Sequence, residues 1–182
     1  MIHIQAQVDI DRPVDEVFDY FEDPENRLQW QLGLVQHRHE PLFVGASVTE
    51  VRNMLGKRLE LTGEIVEYEH NRAIGFSGRG PVVTSIGYHH RFEAMGRRTR
   101  VFVEVSFEPN QRINVARRLV ESIVRRDVEH SLEYLKDVLE NRDEARHLHA
   151  ALPRHHHHVA QDEAAAKGAA PGEGAGAGRP PA

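Results

Sequence analysis

The chain has no cysteine among its 182 residues. That excludes a disulfide framework, a thiol nucleophile and any cysteine-based metal site. It also has no long apolar run. No stretch approaches the ~20 apolar residues of a membrane span, and the opening "MIHIQAQVDIDR" alternates polar and apolar residues where a signal peptide would carry an apolar block. Positive charge is in short supply as well: 23 Lys and Arg against 28 Asp and Glu give a formal net charge of −5. A nucleic-acid protein would usually show a basic balance or stripe. The arginine pairs at 97–98, 117–118 and 125–126 therefore read as solvated faces. The "GRG" at 78–80 lacks the lysine and the following helix of a phosphate loop. The expectation is a soluble cytoplasmic protein with no cofactor, no nucleic-acid partner and no transmembrane segment.

What is present fits one globular domain. The chain is 40% hydrophobic and 28% charged, ordinary for a soluble fold, and its length suits a single sizeable core. Composition changes sharply near Asn141. Beyond it come few large apolar residues, then "HHHH" at 155–158, then "AAPGEGAGAGRPPA". Such a segment buries too little apolar surface to offset the entropy of ordering. The expected division is a folded domain at 1–142 and a disordered tail at 143–182, His-rich and then Ala/Gly/Pro-rich. Fraying of the last helix can carry it through "DEARHLHAAL" until Pro153 stops it. His147, His149 and the tract at 155–158 lack carboxylate or cysteine partners at site-like spacing, so no metal site is expected.

Periodicity gives the order of elements. Ile2, Ile4, Ala6, Val8 and Ile10 alternate with polar residues, the mark of a strand with one buried face. Pro13 suits a first helical turn, and Val14, Val17, Phe18 and Phe21 form one apolar stripe behind it. Asp23 and Pro24 start a second short helix that ends around Trp30 to Gly33, Trp30 being the only tryptophan. Strands are expected at 34–43, 47–54, 58–69, 73–77, 82–95 and 98–108, each bounded by turn residues. In the third of these, apolar positions change phase after Ile65, which predicts a bulge. From residue 112 to 140, Ile113, Ala116, Leu119, Val120, Val124, Val128, Leu132 and Leu135 keep helical spacing. At ~1.5 Å per residue that helix spans roughly 40 Å. Short connections make the sheet antiparallel, and the last helix must bury its stripe against it.

Three segments carry a family likeness: "RPVDEVFDYFEDPENRLQW", "LFVGASVTEVRNMLGKRLELTGEIVEYEHNRAIGFSGRGP" and "YHHRFEAMGRRTRVFVEVSFEP". Together they resemble the SRPBCC superfamily of START-like, helix-grip proteins, which includes polyketide cyclase/dehydrase and lipid-transport types. The resemblance covers about residues 2–140. It implies an α+β helix-grip fold: a curved antiparallel sheet wrapped around a long C-terminal helix, with two short helices after the first strand. It also implies a ligand cavity between sheet and helix. The superfamily has no universal catalytic motif.

Candidate lining residues follow from phase. On the run 82–95 the even positions are the more apolar, so Thr84, Tyr88 and His90 should face inward. On the helix, Asp127 and Ser131 fall inside the stripe that holds Val124. Leu28 and Trp30 are candidates for the cavity mouth, where an amphipathic ring meets both ligand and water. Buried polar groups need partners, so these are either mutually bonded core groups or contacts for a polar ligand. As a core histidine, His90 is simply satisfied, and Asp127 caps local backbone. As a catalytic pair, His90 and Asp127 are a general acid/base for an enolisable or dehydratable substrate. Three functions stay open: binding of a hydrophobic small molecule (lipid, isoprenoid/quinone or polyketide-like), a polyketide cyclase/dehydratase on the same cavity, and a protein-interaction module with an exposed apolar patch.

Overall fold

The computed structural model describes residues 1–39, 41–54, 56–110 and 116–151, with side chains to residue 142. Strand β1 (Ile2–Ile10) leads into helices α1 (Val14–Glu22) and α2 (Pro24–Trp30). Six strands follow: β2 (Leu34–His39), β3 (Ser47–Met54), β4 (Lys57–Glu69), β5 (Ala73–Arg79), β6 (Val83–Met95) and β7 (Arg98–Pro109). Helix α3 (Arg117–Ala151) closes the described chain. All strands join one seven-stranded antiparallel sheet in the order β1-β7-β6-β5-β4-β3-β2. The helix-grip reading of the sequence holds.

This order explains the helical pair. β1 and β2 are consecutive strands but lie at opposite edges of the sheet, so the chain between them must cross its full width. Helices α1 and α2 make that crossing and bury Val17, Phe18, Tyr20, Phe21 and Trp30 as they go. Phe21 meets the Trp30 and Phe92 rings at 5.2 and 5.1 Å, the latter edge-on at 78°. The carboxylate of Asp23 accepts the Glu25 N–H at 2.8 Å and so caps α2. Pro13 stands one residue ahead of α1, at its extended N-cap, rather than inside the first turn.

The strands follow expectation closely. The bulge is present: the β4–β5 register shifts between Ile65 and Glu67. Gly63 opposes Gly78 across that pair. A Cβ on Gly63 would stand 2.1 Å from the Ser77 carbonyl oxygen and 2.8 Å from the Phe76 ring, so the close approach requires glycine.

Helix α3 packs Val120, Leu132, Leu135 and Leu139 into the core. Leu119, one position off that stripe, is 59% exposed. The helix runs to Ala151, inside the continuation through "DEARHLHAAL" that the sequence allows. Its expected start near residue 112 and the tail from 152, with the histidine tract at 155–158, lie outside the described residues; the side chains of His147 and His149 do too. No helix among the described residues is long and apolar enough to cross a membrane.

Candidate functional site

A cavity of about 90 Å³ lies between the sheet and α3. That is room for several waters or part of an organic ligand. Its body is apolar: Leu61, Ile86, Val103 and Val105 from the sheet face Val124 and Val128 of α3. The α2–β2 connection, from Trp30 to Gly33, forms part of the rim. Gly33 has φ +72°, and a Cβ there would come within 2.9 Å of the Asn53 carbonyl oxygen. The Asn53 N–H donates back to the Gly33 carbonyl at 2.7 Å, pinning the connection to β3.

Arg52 of the lining belongs to a buried charge cluster whose other members were not anticipated. Glu50 of β3 is 1% exposed. Its carboxylate takes the Arg52 Nε–H at 3.0 Å, lies 3.5 Å from Arg27 Nη2 and 3.3 Å from His37 Nδ1. Arg27 in turn contacts His37 Nε2 at 3.3 Å and donates to Gln31 Oε1 at 3.1 Å. The guanidinium of Arg52 sits 5.4 Å from the Tyr88 ring centre, and that of Arg27 sits 5.4 Å from the Phe21 ring. Local structure produces this cluster: Val48, Glu50 and Arg52 share one face of β3, and β2 sets His37 opposite Glu50 in register.

The charge states follow from these contacts. Burial alone would push the Glu50 carboxyl up, but Arg52, the adjacent His37 ring and Arg27 together hold it well below the usual range. Burial works against the charge of Arg52, yet Tyr88 and Glu50 keep it firmly protonated. Burial lowers Arg27 from its ordinary value, with Glu50 opposing. Burial also lowers His37, against the pull of Glu50. His90 is pushed down to about 3, first by burial and then by the Arg27 charge. Both imidazoles are therefore neutral near pH 7. Burial raises the Tyr88 phenol despite the nearby Arg52.

Of the eight residues expected to line the cavity, Trp30, Tyr88, His90, Val124, Asp127 and Ser131 do so. Leu28 does not. It is 44% exposed, because α2 turns Trp30 into the core and leaves Leu28, two positions earlier, on the outer face. Thr84 does not either: it is exposed, and its hydroxyl donates to the Glu108 carbonyl at 3.3 Å. A register shift between Val83 and Ser85 interrupts the alternation there: Val83 lines the cavity, Thr84 is turned out, and the inward phase resumes at Ile86. Trp30, at 3% exposed, is both a core residue and a lining residue.

His90 packs its ring 4.6 Å from that of Phe21 and makes a backbone hydrogen bond at Ile74. No hydrogen bond or ion pair joins His90 to Asp127 among the described residues. The Asp127 carboxylate lies 4.0 Å from Arg126 and its side chain is 37% exposed. Its backbone carbonyl accepts the Ser131 hydroxyl at 2.6 Å. That hydroxyl also accepts the Leu32 N–H at 3.0 Å, tying the cavity rim to α3. Ser131 thus has a structural task that its type and position did not announce.

Comparison with known proteins agrees with this architecture. Residues 1–140 match the family described as polyketide cyclase / dehydrase and lipid transport. No curated protein matches the chain. Among solved structures, the Zhui aromatase/cyclase from Streptomyces sp. R1128 is similar, with a TM-score of 0.69 at 17% identity over 80% of this chain and 97% of that one. TTHA0849 from Thermus thermophilus has a TM-score of 0.66 at 18% identity, over 83% and 100% of the two chains. A START superfamily protein from Mycobacterium smegmatis has a TM-score of 0.60 at 14% identity, over 79% and 98%. Identities this low speak to the fold. With the family match spanning the whole grip, from β1 through the buried part of α3, the chain belongs to the polyketide cyclase / dehydrase and lipid transport family.

Proposed function

We propose that this protein binds a hydrophobic small molecule, of lipid, isoprenoid/quinone or polyketide-like chemistry, in the cavity between sheet and α3. The observation that carries this reading is the lining itself: a mostly apolar cavity with a few polar groups among its walls. Apolar walls supply affinity and a small set of polar groups supplies orientation, which is the usual composition of a ligand site. Membership of a family whose description includes lipid transport supports it. The test is native mass spectrometry of protein purified from its source, together with a thermal-shift screen of lipids, quinones and aromatic polyketides. A ligand bound only by the native state raises the melting temperature. A protein that carries nothing and is stabilised by none of these classes would not be a binder of this kind.

A second reading keeps the cavity and adds chemistry: a polyketide cyclase or dehydratase with His90 and Asp127 as acid and base. It is supported by the presence of both side chains on one cavity lining and by the similarity to an aromatase/cyclase. In this reading neutral His90 donates or accepts a hydrogen bond, and the half-exposed carboxylate of Asp127 acts as the base. Loss of turnover in both His90→Gln and Asp127→Asn, with ligand affinity kept, is the expected result. Full activity in either variant would remove that residue from the mechanism.

A further inference from the structure

Away from the cavity, folding brings three metal-ligating side chains together. One donor atom each from Asp19, Glu22 and His70 lies within 4.8 Å of the other two. None of the three lines the cavity. Asp19 and Glu22 stand at i and i+3 on α1 and so share a face of that helix. His70 comes from the turn between β4 and β5, which the Arg72 N–H closes onto the Glu69 carbonyl at 2.9 Å.

This group gathers acceptors and little to satisfy them. Two carboxylates on one helical face repel each other, and neither has a lysine or arginine partner among the described residues. Asp19 and the ring nitrogens of His70 make no hydrogen bond or ion pair among those residues. The same turn carries a further unmet acceptor: the buried Oδ1 of Asn71 has no hydrogen-bond partner among the described residues. Two of the three donors are nevertheless held in place. The Tyr68 hydroxyl donates to Glu22 Oε2 at 3.0 Å and leaves the other carboxylate oxygen available. Phe18, fully buried, meets the His70 ring edge-on at 5.1 Å and 74°. Such outer contacts are what orient the ligands of a metal ion.

We propose that Asp19, Glu22 and His70 bind a divalent transition cation of the zinc type, which clasps α1 to the β4–β5 turn. Zinc accepts imidazole nitrogen and carboxylate oxygen together, with water completing four-coordination. The imidazole disfavours magnesium and calcium, which take oxygen ligands. Two carboxylates balance the charge of the ion and end their mutual repulsion. Donors roughly 2.0–2.2 Å from zinc stand about 3.4 Å apart, so the group closes by side-chain rotation, and Asp19 and His70 have no hydrogen bond to give up among the described residues. The clasp is independent of the binding function proposed above, because it shares no residue with the cavity lining.

The test is titration of the full chain with zinc ion alone, by calorimetry and by melting temperature. The sequence also carries His147, His149 and four histidines at 155–158, a tract that takes up transition metals by itself. The reference protein is therefore the full-length chain with those six replaced by alanine. It should bind one equivalent of zinc and melt at a higher temperature with zinc than without, whereas magnesium at the same concentration should do neither. In that background His70→Ala and Asp19→Asn should each weaken zinc binding at least tenfold, and Tyr68→Phe, which only frees Glu22, roughly tenfold. Without zinc, Asp19→Asn should melt no lower than the reference protein, since it removes a like-charge contact. That opposite behaviour with and without the ion separates a ligand from a residue that merely supports the fold. Zinc bound by the unaltered chain but not by the six-alanine protein would assign all binding to the tract and overturn the proposal. Equal zinc affinity in the reference protein and His70→Ala would overturn it too.

Discussion

The two edges of the sheet handle charge in opposite ways. At the β1 edge, Arg100 makes a two-pronged contact with Asp9, at 2.6 and 2.7 Å, with both side chains about a third exposed. Close by, Lys136 of α3 joins Glu140 at 2.6 Å and donates to the Asp9 carbonyl. At the β2–β3 edge, Glu50, Arg27 and Arg52 form a comparable network inside the protein, with side chains 2%, 11% and 12% exposed. The distances are, if anything, better at the exposed edge. Proximity is therefore a poor guide to importance. Water and salt can replace an exposed partner, whereas a buried charge that loses its partner has no substitute.

Breaking the buried side should have the largest effect. Glu50→Gln leaves Arg27 and Arg52 uncompensated, and the expected loss is about 3–5 kcal/mol of unfolding free energy, read from urea denaturation. A loss too small to measure would mean that water reaches the cluster, and the contrast between the edges would collapse.

Next comes the pH dependence of the buried side. His90 has a folded value near 3 against 6.5 for a free imidazole. Between those values the unfolded chain binds a proton that the folded one does not, so stability rises with pH up to about 6.5 and is level above it for this group. Going down, the slope is about 1.4 kcal/mol per pH unit. His37, also lowered, adds to the loss in the same direction, as does Glu50 once the pH drops below the usual carboxylate range. His90→Gln should flatten the profile between roughly pH 4 and 6, where imidazole protonation of the unfolded chain dominates. An unchanged profile would show that His90 is hydrated.

A smaller effect is expected where the α2–β2 connection, next to the buried edge, is tied to α3. Ser131→Ala removes the acceptor of the Leu32 N–H, and about 1–2 kcal/mol should be lost. Smallest of all is the exposed edge. Asp9→Asn should shift the denaturation midpoint slightly at low salt and not at all in concentrated salt, since screening already weakens the native pair. A shift comparable to that of Glu50→Gln would remove the distinction between the edges.

Much of this molecule was legible from residue types and spacing, and the failures are local. The bulge after Ile65 was visible because a change of apolar phase within one strand is a one-dimensional signal. Thr84 was misplaced because a second irregularity, between Val83 and Ser85, leaves no such trace: valines at 82 and 83 hide the change of phase. Leu28 was misplaced because a helix of seven residues is too short for its own periodicity to say which apolar side chain turns inward. The cluster around Glu50 had a faint signal, since Val48, Glu50 and Arg52 alternate onto one face of β3. A lone charged residue on an apolar face reads as an edge position unless its partners are known. Those partners, Arg27 and His37, come from α2 and β2.

By itself, then, the chain determined its elements, their order and the family. Period-2 strands, a capped helical pair and one long amphipathic helix are local patterns, and local sterics and burial dictate them. Only the tertiary structure decided that β1 and β2 stand at opposite edges, that the helical pair spans the distance between them, and that three separate elements bring two arginines and a histidine to one buried carboxylate. The physical reason is that charge and hydrogen-bond balance are properties of a neighbourhood. A donor on one strand is satisfied or left waiting by what folding places beside it, and no spacing along the chain records that.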